Sequence, residues 1–166
     1  FHVPLIVRHP TRQSPGRVVG AFTEHVDLMP TILGALGLPI PRQGDGHDLS
    51  DFLTGENPAN WRRAAVFEHD FRDLEHGRHR RLAGVDDDTA SLVVRRSADR
   101  LYVQFSGLEA GCWSEAAGGG RAPIDDPRVL LEEAQALLRH RMTKAERRLT
   151  GCLLTPDGVV GGYDPL

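Results

Sequence analysis

The spacing of apolar residues changes period along the chain, and that change limits the fold more than any single motif does. Behind Asp27, a residue type that caps helices, Leu28, Ile32, Leu33 and Leu36 recur at helical spacing, with Pro30 tolerated in the first turn, until Gly37 and Pro39 close the run. Leu49, Phe52 and Leu53 repeat that spacing over a shorter helix stopped by Gly55 and Pro58. Over residues 64–71 the period drops to two, placing Ala65, Phe67 and His69 on one face of a strand and Val66, Glu68 and Asp70 on the other. Residues 91–96 and 101–105, rich in Val, Leu, Tyr and Phe, flank a turn at Ser97-Ala98-Asp99-Arg100 and predict a hairpin. After Pro127 the helical period returns through Leu130, Leu131, Ala134, Leu137, Leu138 and Met142, with Glu132 and Glu133 early and Arg139 and Arg141 late, as the helix dipole favours.

Elsewhere the pattern is plainer. Val3-Pro4-Leu5-Ile6-Val7-Arg8 is apolar on both faces and reads as a buried strand, with Pro4 asking for a strand start or an edge. Residues 18–22 predict a second short strand. Residues 107–126, which include Gly118-Gly119-Gly120, read as a flexible excursion without regular structure. The expected organisation is three-part: 1–60, a small antiparallel sheet over 61–126, and a helix and tail over 127–166. The class is mixed α/β.

Composition excludes several functions. A chain of 166 residues that is 40% hydrophobic with a net charge of −3 is too apolar and too weakly charged for disorder. Its 20 basic and 23 acidic residues offer no chain-wide positive field for nucleic acid, although His76, Arg78, His79, Arg80 and Arg81 cluster. No apolar run reaches the ~20 residues that span a bilayer, so no membrane partner is expected. Phe1-His2-Val3-Pro4 lacks both an initiator Met and a secretory signal, and reads as an internal position of a longer protein. Cys112 and Cys152 form no C-x-x-C pair, which fits a reducing, cytoplasmic setting.

No set of residues assembles a complete active site. His25 and Asp27 flank Val26 in a ligand-like way, but Asp27 is better read as a helix cap. Gly46-His47-Asp48 lies in a Gly-rich loop, where Asp48 is expected to cap the following helix rather than hold a cation. Glu68, His69 and Asp70 are the candidate substrate-binding residues, three titratable groups between Phe67 and Phe71, although strand alternation puts His69 opposite the other two. There is no G-x-S-x-G elbow, no H-E-x-x-H pair and no phosphate-cradling G-K-[ST] loop.

Words larger than composition are also present. The order Val3-Pro4-Leu5-Ile6-Val7-Arg8, then Val26-Asp27-Leu28-Met29-Pro30-Thr31-Ile32-Leu33, Gly46-His47-Asp48-Leu49 and Leu53-Thr54-Gly55 resembles the later part of the sulfatase family in the alkaline phosphatase superfamily. Phe67-Glu68-His69-Asp70-Phe71-Arg72-Asp73 is similar to a segment of the phosphonate monoester hydrolase and arylsulfatase branch. Leu138-Arg139-His140-Arg141-Met142, Glu146-Arg147-Arg148-Leu149-Thr150 and Leu154-Thr155-Pro156-Asp157-Gly158 resemble its tail, whereas residues 107–126 depart from it.

The resemblance implies the C-terminal part of an alkaline-phosphatase-like α/β sandwich, followed by a small antiparallel sheet with a packed helix. It implies a hydrolase of sulfate, phosphate or phosphonate esters, dependent on a divalent metal (Ca or Mn) and on a formylglycine made from cysteine in C-x-[PA]-x-R. It also implies small-molecule ester substrates and a homo-oligomer. Carried over residue by residue, it leaves this segment without a catalytic or metal-binding residue. Cys112 precedes Trp-Ser-Glu-Ala, Cys152 precedes Leu-Leu-Thr-Pro, and the sole lysine, Lys144, matches nothing catalytic. The alternative is a catalytically inactive binding or assembly module derived from the same fold.

Overall fold

A computed structural model describes residues 3–10, 14–41, 45–70, 91–106, 108–116, 119–143, 153–155 and 158–160. The chain divides into two compact units, one formed by Phe1–Arg62 with Leu166 and the other by Arg63–Pro165.

The second unit grows from the period-two segments. Strands β1 (Ala64–Asp70), β2 (Ser91–Ser97), β3 (Arg100–Phe105), β4 (Gly111–Glu115) and β5 (Arg121–Pro123) form an antiparallel sheet in simple sequence order. In its register Phe67 pairs with Val94, Val94 with Val103, and Tyr102 with Cys112. Helix α3 (Pro127–Thr143) supplies Leu137 to a core with Tyr102 and Cys112, bordered by Val66, Val93, Leu130 and Ala134. The expected antiparallel sheet with its packed helix is therefore present. Strands β6 (Leu153–Thr155) and β7 (Gly158–Val160) make a separate two-stranded ladder.

The region 107–126 corrects the sequence reading, because it contains β4 and β5 rather than an excursion. Its glycines mark a turn: Gly119 sits at φ +82°, its N–H donates to the Ala116 carbonyl, and the Ala116 N–H donates to the Gly120 carbonyl. Strand β4 is held by antiparallel pairing with its sequence neighbours β3 and β5, although its own residues lack a clear apolar alternation.

In the first unit a 3₁₀ turn (His25–Asp27) runs into α1 (Leu28–Ala35), and α2 (Ser50–Thr54) follows a loop. Both helices match the expected positions. The expected strands at 3–8 and 18–22 do not form. A strand exists through its ladder, and among the described residues nothing pairs with either segment, so Ile6 and Val18 are each 91% exposed. No helix among the described residues is long and apolar enough to cross a membrane.

Candidate functional site

The most organised polar cluster of the first unit is built around Asp27, whose side chain is fully buried. Burial of a carboxylate demands partners. Arg62 supplies two of them, donating through Nη1 to Oδ2 at 2.6 Å and through Nη2 to Oδ1 at 2.5 Å. The Glu24 N–H donates to Oδ2 at 2.8 Å and the His47 N–H to Oδ1 at 2.8 Å. Arg62 also pairs with Glu24 at 2.8 Å, and its Nη2 lies 2.6 Å from His47 Nδ1. Because arginine only donates, Nδ1 of His47 accepts that bond and its ring proton sits on Nε2.

The surrounding residues explain the spacing of the sequence words. Gly46 lies so close to the Val26 carbonyl that any Cβ there would overlap it, and this approach brings the His47 N–H onto Asp27. Thr31, one turn further along, donates to the Asp27 carbonyl at 2.6 Å and accepts the Leu49 N–H at 2.9 Å. Leu49 and Phe52 are buried, and Trp61 packs edge-on against Phe52 at 4.7 Å between ring centroids while donating to the Phe22 carbonyl. The motif residues Asp27, Pro30, Thr31, Gly46 and Leu49 thus form one structural knot rather than a reaction site.

Asp27 and Asp48, both expected to cap helices, behave differently. Asp27 stands at the start of α1 without capping it, since its carboxylate turns to Glu24, His47 and Arg62 instead. Asp48 accepts the Ser50 N–H at the start of α2 at 2.8 Å, although the cap position itself falls on Leu49. Sequence reasoning missed Arg62 and Trp61 altogether. A Trp-Arg pair just before a strand was the available signal, but no local spacing links residue 62 to residue 27.

In the second unit the candidates Glu68 and His69 fall on opposite faces of β1, as alternation predicts. The His69 ring stacks near-parallel on Phe67 at 6.1 Å, while Glu68 Oε1 approaches Arg141 Nε to 3.6 Å. Asp70 occupies the last position of β1 opposite Ser91, and its side chain lies outside the described residues. The basic cluster at 76–81 also lies outside them.

Two further carboxylates of this unit, Glu133 and Glu115, are tied to arginine side chains. Glu133, 5% exposed, receives Arg95 and also Arg100 at 3.4 Å, joining α3 to the sheet. Glu115 accepts from Arg121 at 2.6 Å and from Arg96 at 2.7 Å. The hydrogen bond from Arg121, helped by Arg96, holds the Glu115 carboxyl below its ordinary range against the opposing effect of burial. Burial raises the Cys112 thiol and the Tyr102 phenol above theirs, so Cys112 is a packed thiol rather than an activated one. Among the described residues no three His, Cys, Asp or Glu side chains gather as a metal site. A divalent cation does not fit Asp27, Glu115 or Glu133, whose oxygens already take guanidinium donors, and Cys112, followed by Trp-Ser-Glu-Ala, does not lie in C-x-[PA]-x-R.

A mixed fold with a five-stranded antiparallel sheet, a helix on its face and a separate knot built on a Val-Asp-x-x-Pro-Thr segment defines a C-terminal sulfatase region. The chain belongs to that family within the alkaline phosphatase superfamily: residues 1–99 match N-sulphoglucosamine sulphohydrolase, C-terminal. Among its relatives is the multifunctional alkaline phosphatase superfamily protein PehA of Trinickia caryophylli, 30% identical over 96% of this chain and 32% of that protein. The phosphonate monoester hydrolase SpPMH of Silicibacter pomeroyi superposes with a TM-score of 0.74 at 32% identity, over 95% of this chain and 32% of that one. The phosphonate monoester hydrolase of Agrobacterium radiobacter gives 0.65 at 33% identity, over 88% and 30%. The chain therefore spans about a third of the length of these relatives.

Proposed function

We propose that residues 1–166 are the C-terminal portion of a metal-dependent hydrolase that cleaves sulfate, phosphate or phosphonate esters through a formylglycine nucleophile carried elsewhere in the protein. The observation that supports this reading most is the match to PehA, which runs through 96% of the chain rather than through one motif. In such an enzyme the metal and the formylglycine supply the nucleophile and hold the developing negative charge. In this reading no residue of the segment supplies an atom to that step. Asp27, Arg62, Thr31 and His47 fix the backbone around α1, and the sheet packs with α3 around its own core. The enzyme is read as a cytoplasmic homo-oligomer acting on small-molecule esters.

The test is hydrolysis of aryl sulfates and phosphonate monoesters by purified residues 1–166 beside the longer product of the same reading frame. The expected result is Mn²⁺- or Ca²⁺-dependent turnover by the longer protein and none by the 166-residue chain. Metal-dependent turnover by the 166-residue chain, lost in His69→Ala, would overturn the reading and make Glu68, His69 and Asp70 a true site.

A further inference from the structure

Glu24, Arg62 and His47 are the charged and titratable side chains that meet around Asp27, and of these types only imidazole ordinarily changes charge near neutrality. The His47 side chain is 43% exposed, so a proton from solvent reaches it without unfolding the unit. Its Nδ1 is committed as an acceptor, 2.6 Å from Arg62 Nη2. The same Nη2 donates to Asp27 Oδ1 at 2.5 Å, so one guanidinium nitrogen divides its two protons between the histidine and the buried carboxylate. The ring and the ion pair are therefore joined through a single atom.

A proton on Nδ1 turns that acceptor into a donor and sets it against a guanidinium at hydrogen-bond distance. One group opposes this effect: Asp27 Oδ1 lies 4.0 Å from Nδ1 and attracts an imidazolium. That oxygen already takes Arg62 and the backbone N–H of His47, while Oδ2 takes Arg62 Nη1 and the Glu24 N–H. To accept the new proton, Asp27 must give up its bond from Arg62 Nη2. The Glu24 carboxylate stands beyond Arg62, paired with it at 2.8 Å. On the loop itself Asp48 is turned to the Ser50 N–H, and Asp45 lies two residues before the ring. Trp61 adds an uncharged ring edge, 5.4 Å from the imidazole between centroids. Two cations in contact at 2.6 Å outweigh the pull of a carboxylate at 4.0 Å whose oxygens are already bonded.

We infer that His47 is a pH-operated latch on the knot: neutral, it holds Arg62 and the loop 45–49 against Asp27, and charged, it drives Arg62 off one of its acceptors and frees the loop. The opened loop takes up the proton more readily than the closed knot. The latch therefore holds above the ordinary histidine value of ~6.5 and weakens as pH falls below it. Release also carries the Leu49 N–H away from the Thr31 hydroxyl, so the event reaches α1 and the start of α2.

The experiment is hydrogen exchange of the 166-residue chain at about pH 7.5 and about pH 5, corrected for intrinsic rates, with the His47 ring followed by NMR over the same range. The range stops short of the ordinary carboxylate values of ~4. Protection at the His47 and Leu49 amides is expected to fall by ~10-fold toward the lower pH, while the amides of β2 and β3 keep theirs. His47→Asn places an amide oxygen where Nδ1 lies and does not titrate. Its protection should equal that of wild type at the higher pH and change by less than ~2-fold at the lower. His47→Phe keeps a ring for Trp61 but accepts nothing, so its two amides should be poorly protected at both values. Wild-type protection that ignores pH would overturn the latch. So would a fall in His47→Asn as large as in wild type, or a ring that gains its proton near ~6.5 while both amides stay protected.

Discussion

Among the described residues, the most deeply buried side chain of the first unit is a carboxylate, Asp27; in the second it is the ring of Tyr102. Around Asp27 the contacts are directional: two guanidinium bonds and two backbone N–H bonds converge on one group. Around the Tyr102 ring they are mostly apolar and diffuse, shared with Cys112, Leu137 and the sheet beside them, with one hydrogen bond from its hydroxyl to Gln104. The second unit pairs its described strands β1–β5 in one ladder and covers one face of that sheet with its own helix, so its order is largely self-supplied. The first unit spends much of its interior on a polar knot, with Leu49 and Phe52 buried beside it, and leaves most of its other aliphatic side chains outside. A polar hub of this kind specifies one arrangement strongly, because each misplaced partner leaves a buried group unsatisfied. It yields little of the burial energy on which a small unit depends.

That contrast is most directly broken by Asp27→Ala. Removing the carboxylate leaves Arg62 without its principal partner and the His47 N–H without an acceptor, and loss of one member of a buried ion pair costs about 3–5 kcal/mol. Hydrogen exchange should rise across residues 28–36 and 45–54 while the amides of β2 and β3 keep their protection. Uniform loss of protection would mean that the two units unfold as one. The converse variant, Leu137→Ala, removes a core side chain that is 4% exposed and should cost about 2–5 kcal/mol. Its effect should fall on the sheet and α3, read as a lower urea midpoint by tryptophan fluorescence from Trp113 on β4.

Legibility from sequence follows the same division. The helices and the β2–β3 hairpin could be read because their signals are local: helical apolar spacing, a proline at the start of α3, and a turn between two β-rich runs. Strands β4 and β5 could not, since Gly111–Glu115 is short and polar in places and becomes a strand through pairing with β3 and β5. Residues 3–7 failed in the opposite direction: their β character is strong, but propensity without a ladder partner makes no strand. For the site, Asp27 was singled out for the right reason, a polar residue beside a helix start, and given the wrong partner. Its true partner lies 35 residues away, and nothing in local spacing encodes that distance.

Gly46→Ala probes how tightly the knot is drawn. A methyl group there meets the Val26 carbonyl, backbone rather than a flexible side chain, so the loop must retreat. The retreat pulls the His47 N–H away from Asp27 and the Leu49 N–H away from Thr31. Overpacking of this kind costs about 1–3 kcal/mol. The measurement is exchange at the His47 and Leu49 amides, which should quicken together, with Tm falling less than in Asp27→Ala. An unchanged Leu49 amide would show that the loop yields locally and that the knot is looser than its contacts imply.

The smallest effect sharpens the comparison by asking what an arginine–carboxylate pair is worth when it is not buried like Asp27. Glu115 is 11% exposed, but its partners Arg121 and Arg96 are 53% and 43% exposed, so solvent and salt screen the cluster. Its carboxyl is depressed in the folded protein by the Arg121 hydrogen bond, outweighing burial, and by Arg96. A depressed folded value means that the unfolded chain binds the proton more readily. The pairing therefore stabilises above the unfolded carboxylate range and is lost as pH falls through the lower, folded value. Glu115→Gln should lower stability at neutral pH by only about 0.2–1 kcal/mol, the range of exposed pairs. Tm of variant and wild type should converge as the solution is acidified through that window, and also when salt is raised to about 1 M at neutral pH. A neutral-pH deficit that survives high salt would place Glu115 with Asp27, among carboxylates shielded from solvent, and would move the boundary between the two kinds of ion pair into the sheet.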